Sequence, residues 1–209
     1  RTNSGGTPLS YSDLLMSIAI ANWQEDARDQ IDGLVRGIRF SPEMDFSINR
    51  DFVLKTCLML IDNDIRFKVK NFNKDVVENI EAEWPGIKNC IYETFRFLKS
   101  IGMNESCLRA KNAAIPIAYY LYHETSQGQP LYDSINRLAK NAHERDTITQ
   151  WLHMSLLNNV FSGQSDTLLT NLRKIIRNNL GQSGFPLHQI IAEYKGTNKD
   201  LLFDEDFID

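Results

Sequence analysis

The sequence predicts an all-α protein, an irregular bundle of eight to ten helices with at most one short extended segment. Three observations carry this reading. Apolar residues recur at helical spacing over most of the chain. Residues suited to N-caps stand directly before those stretches: Asp26, Asn49 or Ser47, Asn73 and Ser165. Only one short stretch alternates with period 2.

Taken in order, Ser10 is expected to cap a first helix, with Asp13 three residues on in a near capping box. Its apolar stripe is Leu14, Leu15, Ile18, Ala19, Ala21 and Trp23. Asp26 opens a second helix, with Ala27, Ile31, Leu34, Val35 and Ile38 inward, which Ser41-Pro42 breaks. A third carries Val53, Leu54, Cys57, Leu58 and Ile61. In 65–70, Ile65, Phe67 and Val69 alternate with Arg66, Lys68 and Lys70, which suggests an extended segment with one basic face. Asn73 caps the next helix, where Pro85-Gly86 either kinks the chain or starts a new element. Gly102 is the expected C-cap. Residues 113–122 are apolar nearly all round, so a central buried helix is expected, with Pro116 tolerated near its first turn. A polar loop at 126–130 precedes helices near 131–142 and 145–161, the latter ended by Ser162-Gly163. Ser165 caps a helix bearing Leu168, Leu169, Leu172, Ile175 and Ile176, and a short helix follows Pro186.

The chain has 209 residues, enough for one good core, with 42% hydrophobic and 24% charged residues. The net charge of −4 argues against a surface wholly devoted to nucleic acid but permits a local basic patch. No apolar stretch approaches the roughly 20 residues of a membrane span, and no charged, then apolar, signal segment precedes the first helix. The three cysteines, Cys57, Cys90 and Cys107, are odd in number and widely spaced. They read as buried thiols in a reducing compartment, which implies a cytoplasmic protein.

Chemical motifs are few. Ser4-Gly5-Gly6-Thr7 lacks the Gly-Lys-Ser/Thr of a phosphate loop. Ser162-Gly163-Gln164-Ser165 is not a nucleophile elbow. His143-Glu144 is followed by Thr147 where a zinc protease needs its second His. The four histidines, His123, His143, His153 and His188, share no spacing. The carboxylates of Glu25, Asp26, Asp29 and Asp32, and of Asp204, Glu205, Asp206 and Asp209, read as a solvated helix face and an exposed tail. No catalytic residue and no metal ligand is assigned. The rings of Tyr119, Tyr120 and Tyr122 can stack bases, but core packing is expected in so apolar a segment. Two basic groups remain as candidate phosphate contacts: Arg66, Lys68, Lys70 and Lys74, and Arg173, Lys174 and Arg177 on one helix face. Ordinary solvation is the alternative for both.

Several stretches taken together resemble a known family. They are RTNSGGTPLS at 1–10, SDLLMSIAIANW at 12–23, DAR at 26–28, INRDFVLKTCLMLID at 48–62, KVKNFN at 68–73, NAAIPIAYYLY at 112–122, and Trp151-Leu152 before VFSGQSDTLL at 160–169. In order and spacing they resemble the GmrSD-type restriction endonuclease N-terminal family of bacterial phage-defence proteins. The resemblance implies a ParB-like domain, with an Asp-Gly-Gln-Gln-Arg motif tied to nucleotide-dependent activity, ahead of a helical region. Many members add a C-terminal His-metal nuclease. Neither motif occurs in this chain.

The resemblance therefore places a junction at 1–10 and a helical domain at 11–203; the spacing of Leu201, Leu202, Phe203, Phe207 and Ile208 itself suggests the truncated start of a further segment at 204–209. By the same analogy Arg1 and Asn3 face the ParB-like site. Asn3, Ser4, Gly5, Gly6 and Thr7 form either an anion-binding turn or a simple chain reversal. The expected function is a non-catalytic helical region that packs on the ParB-like domain of its own parent chain and contacts DNA through Arg66, Lys68, Lys70, Arg173, Lys174 and Arg177. One alternative completes a nucleotide or nuclease site. Another is a scaffold or homo-oligomerisation domain. No cofactor is expected in this region, nucleotide and divalent metal belonging to the parent protein, and no membrane contact is expected.

Overall fold

The computed structural model describes residues 11–24, 26–65, 73–137, 141–163, 165–182 and 184–202; for 11–15 only the backbone is described. The expected all-α architecture is present. Eight α-helices are described: α1 (Tyr11–Asn22), α2 (Ala27–Arg39), α3 (Arg50–Leu60), α4 (Lys74–Ser100), α5 (Ala114–His123), α6 (Ala142–Leu157), α7 (Ser165–Asn178) and α8 (Leu187–Tyr194). The described β-structure is a two-residue-per-strand hairpin, β1 (Thr125–Ser126) against β2 (Gln129–Pro130). Gln127 and Gly128, both at positive φ, make its turn.

The starts are local chemistry. Asp26, Asn49 and Asn73 each accept the amide of the residue three positions on, at 3.1, 2.9 and 3.0 Å. Three C-termini share one device. A left-handed residue follows the cap at Asp62 (φ 58°), Gly102 (φ 86°) and Asn159 (φ 50°). The next amide then reaches back, Asn63 to Leu58, Met103 to Leu98 and Val160 to Ser155, at 2.9–3.0 Å.

Helix α5 is the centre. Every residue of 114–121 is buried, and α3, α4 and α7 pack around it. The remaining helices enclose this nucleus in one continuous core that runs from Met16 to Leu201. Trp23 of the α1–α2 link meets Trp84 of α4 edge to face, at 5.3 Å. Arg50 grips Asp32 through two bonds of 2.6 and 2.7 Å, which ties α3 to α2 and holds the Asp32 carboxyl below its ordinary range.

Several expectations are corrected. Residues 131–137 do not begin an α-helix. They form one tight turn of 3-10 helix (Leu131–Asp133) and further turns, with Asn141 bonding the carbonyl and hydroxyl of Ser134 at 3.0 Å. Short polar side chains there offer the backbone an alternative to the helix ladder. Helix α6 starts earlier and stops earlier than expected, its end set by the left-handed Asn159 (φ 50°), ahead of the second left-handed residue Gly163 (φ 79°). Of the two readings of Pro85-Gly86, the start of a new element is excluded, since α4 runs through Pro85 as one helix. Ser165 is the first residue of α7, and its hydroxyl accepts a bond from Asn112 at 2.9 Å. Cys57 and Cys90 are buried as expected, but Cys107 is exposed on the 104–110 loop, where Asn104 folds a tight turn by accepting the amides of Ser106 and Cys107. No described helix is long and apolar enough to cross a membrane.

Candidate nucleic-acid interface

Helix α7 sorts its residues by face. Leu168, Leu169, Leu172 and Ile176 are buried. The outer face shows Thr167, Thr170, Asn171, Lys174, Arg177 and Asn178 to solvent. No carboxylate occurs between 167 and 178. The helix's one acid, Asp166, is neutralised by Lys55 of α3 at 2.6 Å.

The basic end of α7 is anchored on the C-terminus of α3. Arg173, half-buried, donates from Nη1 to the Asn63 carbonyl. Arg177 stands 3.6 Å from the Asp62 carboxylate with 62% of its side chain exposed. The Asp62 carboxylate also accepts the Tyr119 hydroxyl at 2.8 Å, and His123 donates from Nε2 to the Leu60 carbonyl at 2.8 Å. The left-handed turn at Asp62 ends α3 and leaves the Leu60 carbonyl free to accept from His123. Burial, then the bond to Asp62, pushes the Tyr119 hydroxyl well above its ordinary range. Burial pulls the His123 imidazole below its ordinary value, against the opposing effect of the Leu60 carbonyl.

Of the seven candidate phosphate contacts, the structure describes four: Arg173, Lys174 and Arg177 on α7, and Lys74 at the start of α4, where it pairs with Glu78 at 3.5 Å. Lys174 and Arg177 reach solvent, while Arg173 is engaged by the backbone of the turn after α3. Arg66, Lys68 and Lys70 lie outside the described residues, as do Arg1, Asn3, Ser4, Gly5, Gly6 and Thr7. In the sequence Arg66 follows Asn63 by three residues.

One grouping escaped the sequence reading. His143 and His188 line a single cavity of about 310 Å³ with Asp146, Gln150 and Gln182. The His143 ring lies so close to Gly184 that a Cβ there would come within 2.9 Å of it. Helices α6 and α8 carry the two histidines, so no spacing in the chain signals the pair. Among the described residues no group of three or more His, Cys, Asp or Glu is arranged to hold a metal ion.

The described chain is therefore an all-α domain in which α7 presents Lys174 and Arg177 on a face to which the helix itself contributes no carboxylate after Asp166. No family model matches it, and no curated protein matches it.

Proposed function

We propose that this chain is the helical region of a cytoplasmic, GmrSD-like bacterial restriction protein. It packs on a ParB-like domain and contacts the DNA backbone weakly and without regard to sequence, while catalysis resides elsewhere in the parent. The observation that supports DNA contact is the outer face of α7, where Lys174 and Arg177 stand among Thr and Asn side chains with no carboxylate between them. Such a face offers charge and hydrogen-bond donors to phosphate oxygens, with the Asp62 carboxylate 3.6 Å from Arg177 as the acid it must outweigh. Arg66, Lys68 and Lys70 extend the same proposal.

Fluorescence anisotropy with a short duplex at several salt concentrations tests it. The Lys174→Ala/Arg177→Ala double variant is expected to bind more weakly by the same factor on every sequence. Its log–log salt slope is expected to flatten by up to about 2, at about 0.9 per phosphate contact. Arg173 is left intact because it anchors the turn after α3. Equal binding by wild type and variant removes the DNA role.

A scaffold role is the second reading, and the bonds of Arg173 and Arg177 to the turn after α3 favour it, since they use cations to hold helices together. The family itself is tested by the codons upstream of Arg1: an Asp-Gly-Gln-Gln-Arg motif supports it, and an unrelated domain retires it.

A further inference from the structure

We propose that the cavity between the 104–110 loop and the C-terminal end of α6 binds a small monocarboxylate with an apolar body, its head group paired with Arg109. The cavity measures about 700 Å³, and a neighbour of about 390 Å³ shares Arg109, Ala110 and Phe161 with it. This is the size range of small-molecule sites. Leu156, Leu157 and Phe161 supply an apolar wall. Leu157, the last residue of α6, is 65% exposed at this wall.

The charge on the site has one sign. None of the residues lining the larger cavity is acidic. Two cations nearby are already engaged. Lys111 pairs with Glu105 at 3.1 Å and donates to the Leu108 carbonyl, and Lys199 donates to the Ser162 carbonyl at 2.7 Å. The Arg109 guanidinium makes no ion pair or hydrogen bond among the described residues. A second polar group also lacks a partner. Ser155 lines the cavity, is 1% exposed, and its hydroxyl is buried without an acceptor or donor among the described residues. Native proteins rarely leave such a group unpaired.

One guanidinium, one unpaired hydroxyl and an apolar wall match a single anionic head on a hydrocarbon or aromatic body. A guanidinium fits a carboxylate in a two-pronged geometry, whereas the second charge of a phosphate monoester would have no partner. The site shares no residue with the basic face of α7.

Cys107 lines the same cavity and reports on it. It is the exposed thiol; Cys57 and Cys90 are buried, and burial pushes the Cys57 thiol up to about 12. The experiment is alkylation of the whole 209-residue chain by iodoacetamide, read by intact mass, with octanoate as the probe. Octanoate is expected to slow the single alkylation saturably, by roughly fivefold or more, while octanol and octylammonium at equal concentration slow it much less. Arg109→Gln and, separately, Leu157→Asp are expected to abolish the protection. Loss of folding in either variant would announce itself by alkylation of Cys57 and Cys90. A rate indifferent to octanoate, equal protection by octylammonium, or protection retained in both folded variants overturns the proposal.

Discussion

His123 shows how one side chain couples burial to pH. Its Nε2–H is committed to the Leu60 carbonyl at 2.8 Å, and its ring lies 4.4 Å from that of Tyr119. Burial favours the neutral ring, so its folded pKa lies below the ordinary 6.5. The unfolded chain therefore binds a proton that the folded chain refuses as the pH falls below about 6.5, and stability must drop with it. The contribution is fully present above that value and is lost as the pH falls through the folded pKa. The neighbouring charges pull in opposite directions: Asp62 favours the charged form, and Arg173 and Arg177 oppose it, so burial decides the sign. Urea midpoints measured from pH 7.5 to 5 are expected to decline in the wild type and to stay flatter in His123→Gln. The depressed carboxyls of Asp32 and Glu105 act only below their ordinary values of 3.8 and 4.5, so they leave this window clear. A wild-type profile as flat as that of the variant removes the argument.

Helix α5 is an element with no polar face to spare. Its first turn accommodates Pro116 because an amide that early in a helix has no partner to lose. Its flanks meet α3, α4 and α7 at once. Ile117, 0% exposed in this packing, is expected to cost about 2–5 kcal/mol on truncation to Ala, the transfer and cavity cost of a large aliphatic core residue. Phe40 is the control, equally apolar but 73% exposed just beyond α2. Its truncation is expected to stay within about 0.5 kcal/mol. Chemical denaturation of both variants checks the pair, and a loss under half a kcal/mol at Ile117 would show that α5 is not the nucleus. The buried stripe of α5 was legible because ten consecutive residues leave no alternative. The turns at 131–137 were not, because apolar spacing there competes with the local bonds of Ser134 and Asn141.

The whole molecule is tied across its length. Lys55 reaches Asp166, Asn112 reaches Ser165, Arg173 reaches Asn63, and the buried Glu124 carboxylate accepts the Gly181 amide at 2.9 Å. These bonds and the single apolar core predict one cooperative unit. Three tryptophans sample it: Trp23 and Trp84 pack together near the start, and Trp151 packs on Phe161 and Phe185 near the end. With Trp151→Phe and Trp23→Phe/Trp84→Phe isolating each region, fluorescence and far-UV circular dichroism are expected to share one urea midpoint. Separate midpoints would mean two folding units.

By itself the sequence determined the all-α class, the Asx caps at Asp26 and Asn73, the glycine stop of α4 and the buried character of residues 114–121, and it narrowed the cap of α3 to Ser47 or Asn49. These follow from hydrogen bonds closed within a few residues and from apolar periodicity along a single helix. The tertiary structure decided which charges are used up and which remain. Arg173 and Lys174 are neighbours in the chain, yet one is held by the Asn63 carbonyl and the other meets water. Lys111 is engaged while Arg109, two residues away, lines a cavity, and His143 shares a cavity with His188 only because α6 and α8 pack side by side. An ionic partner or a shared cavity depends on which faces of distant helices meet, and no local rule carries that information.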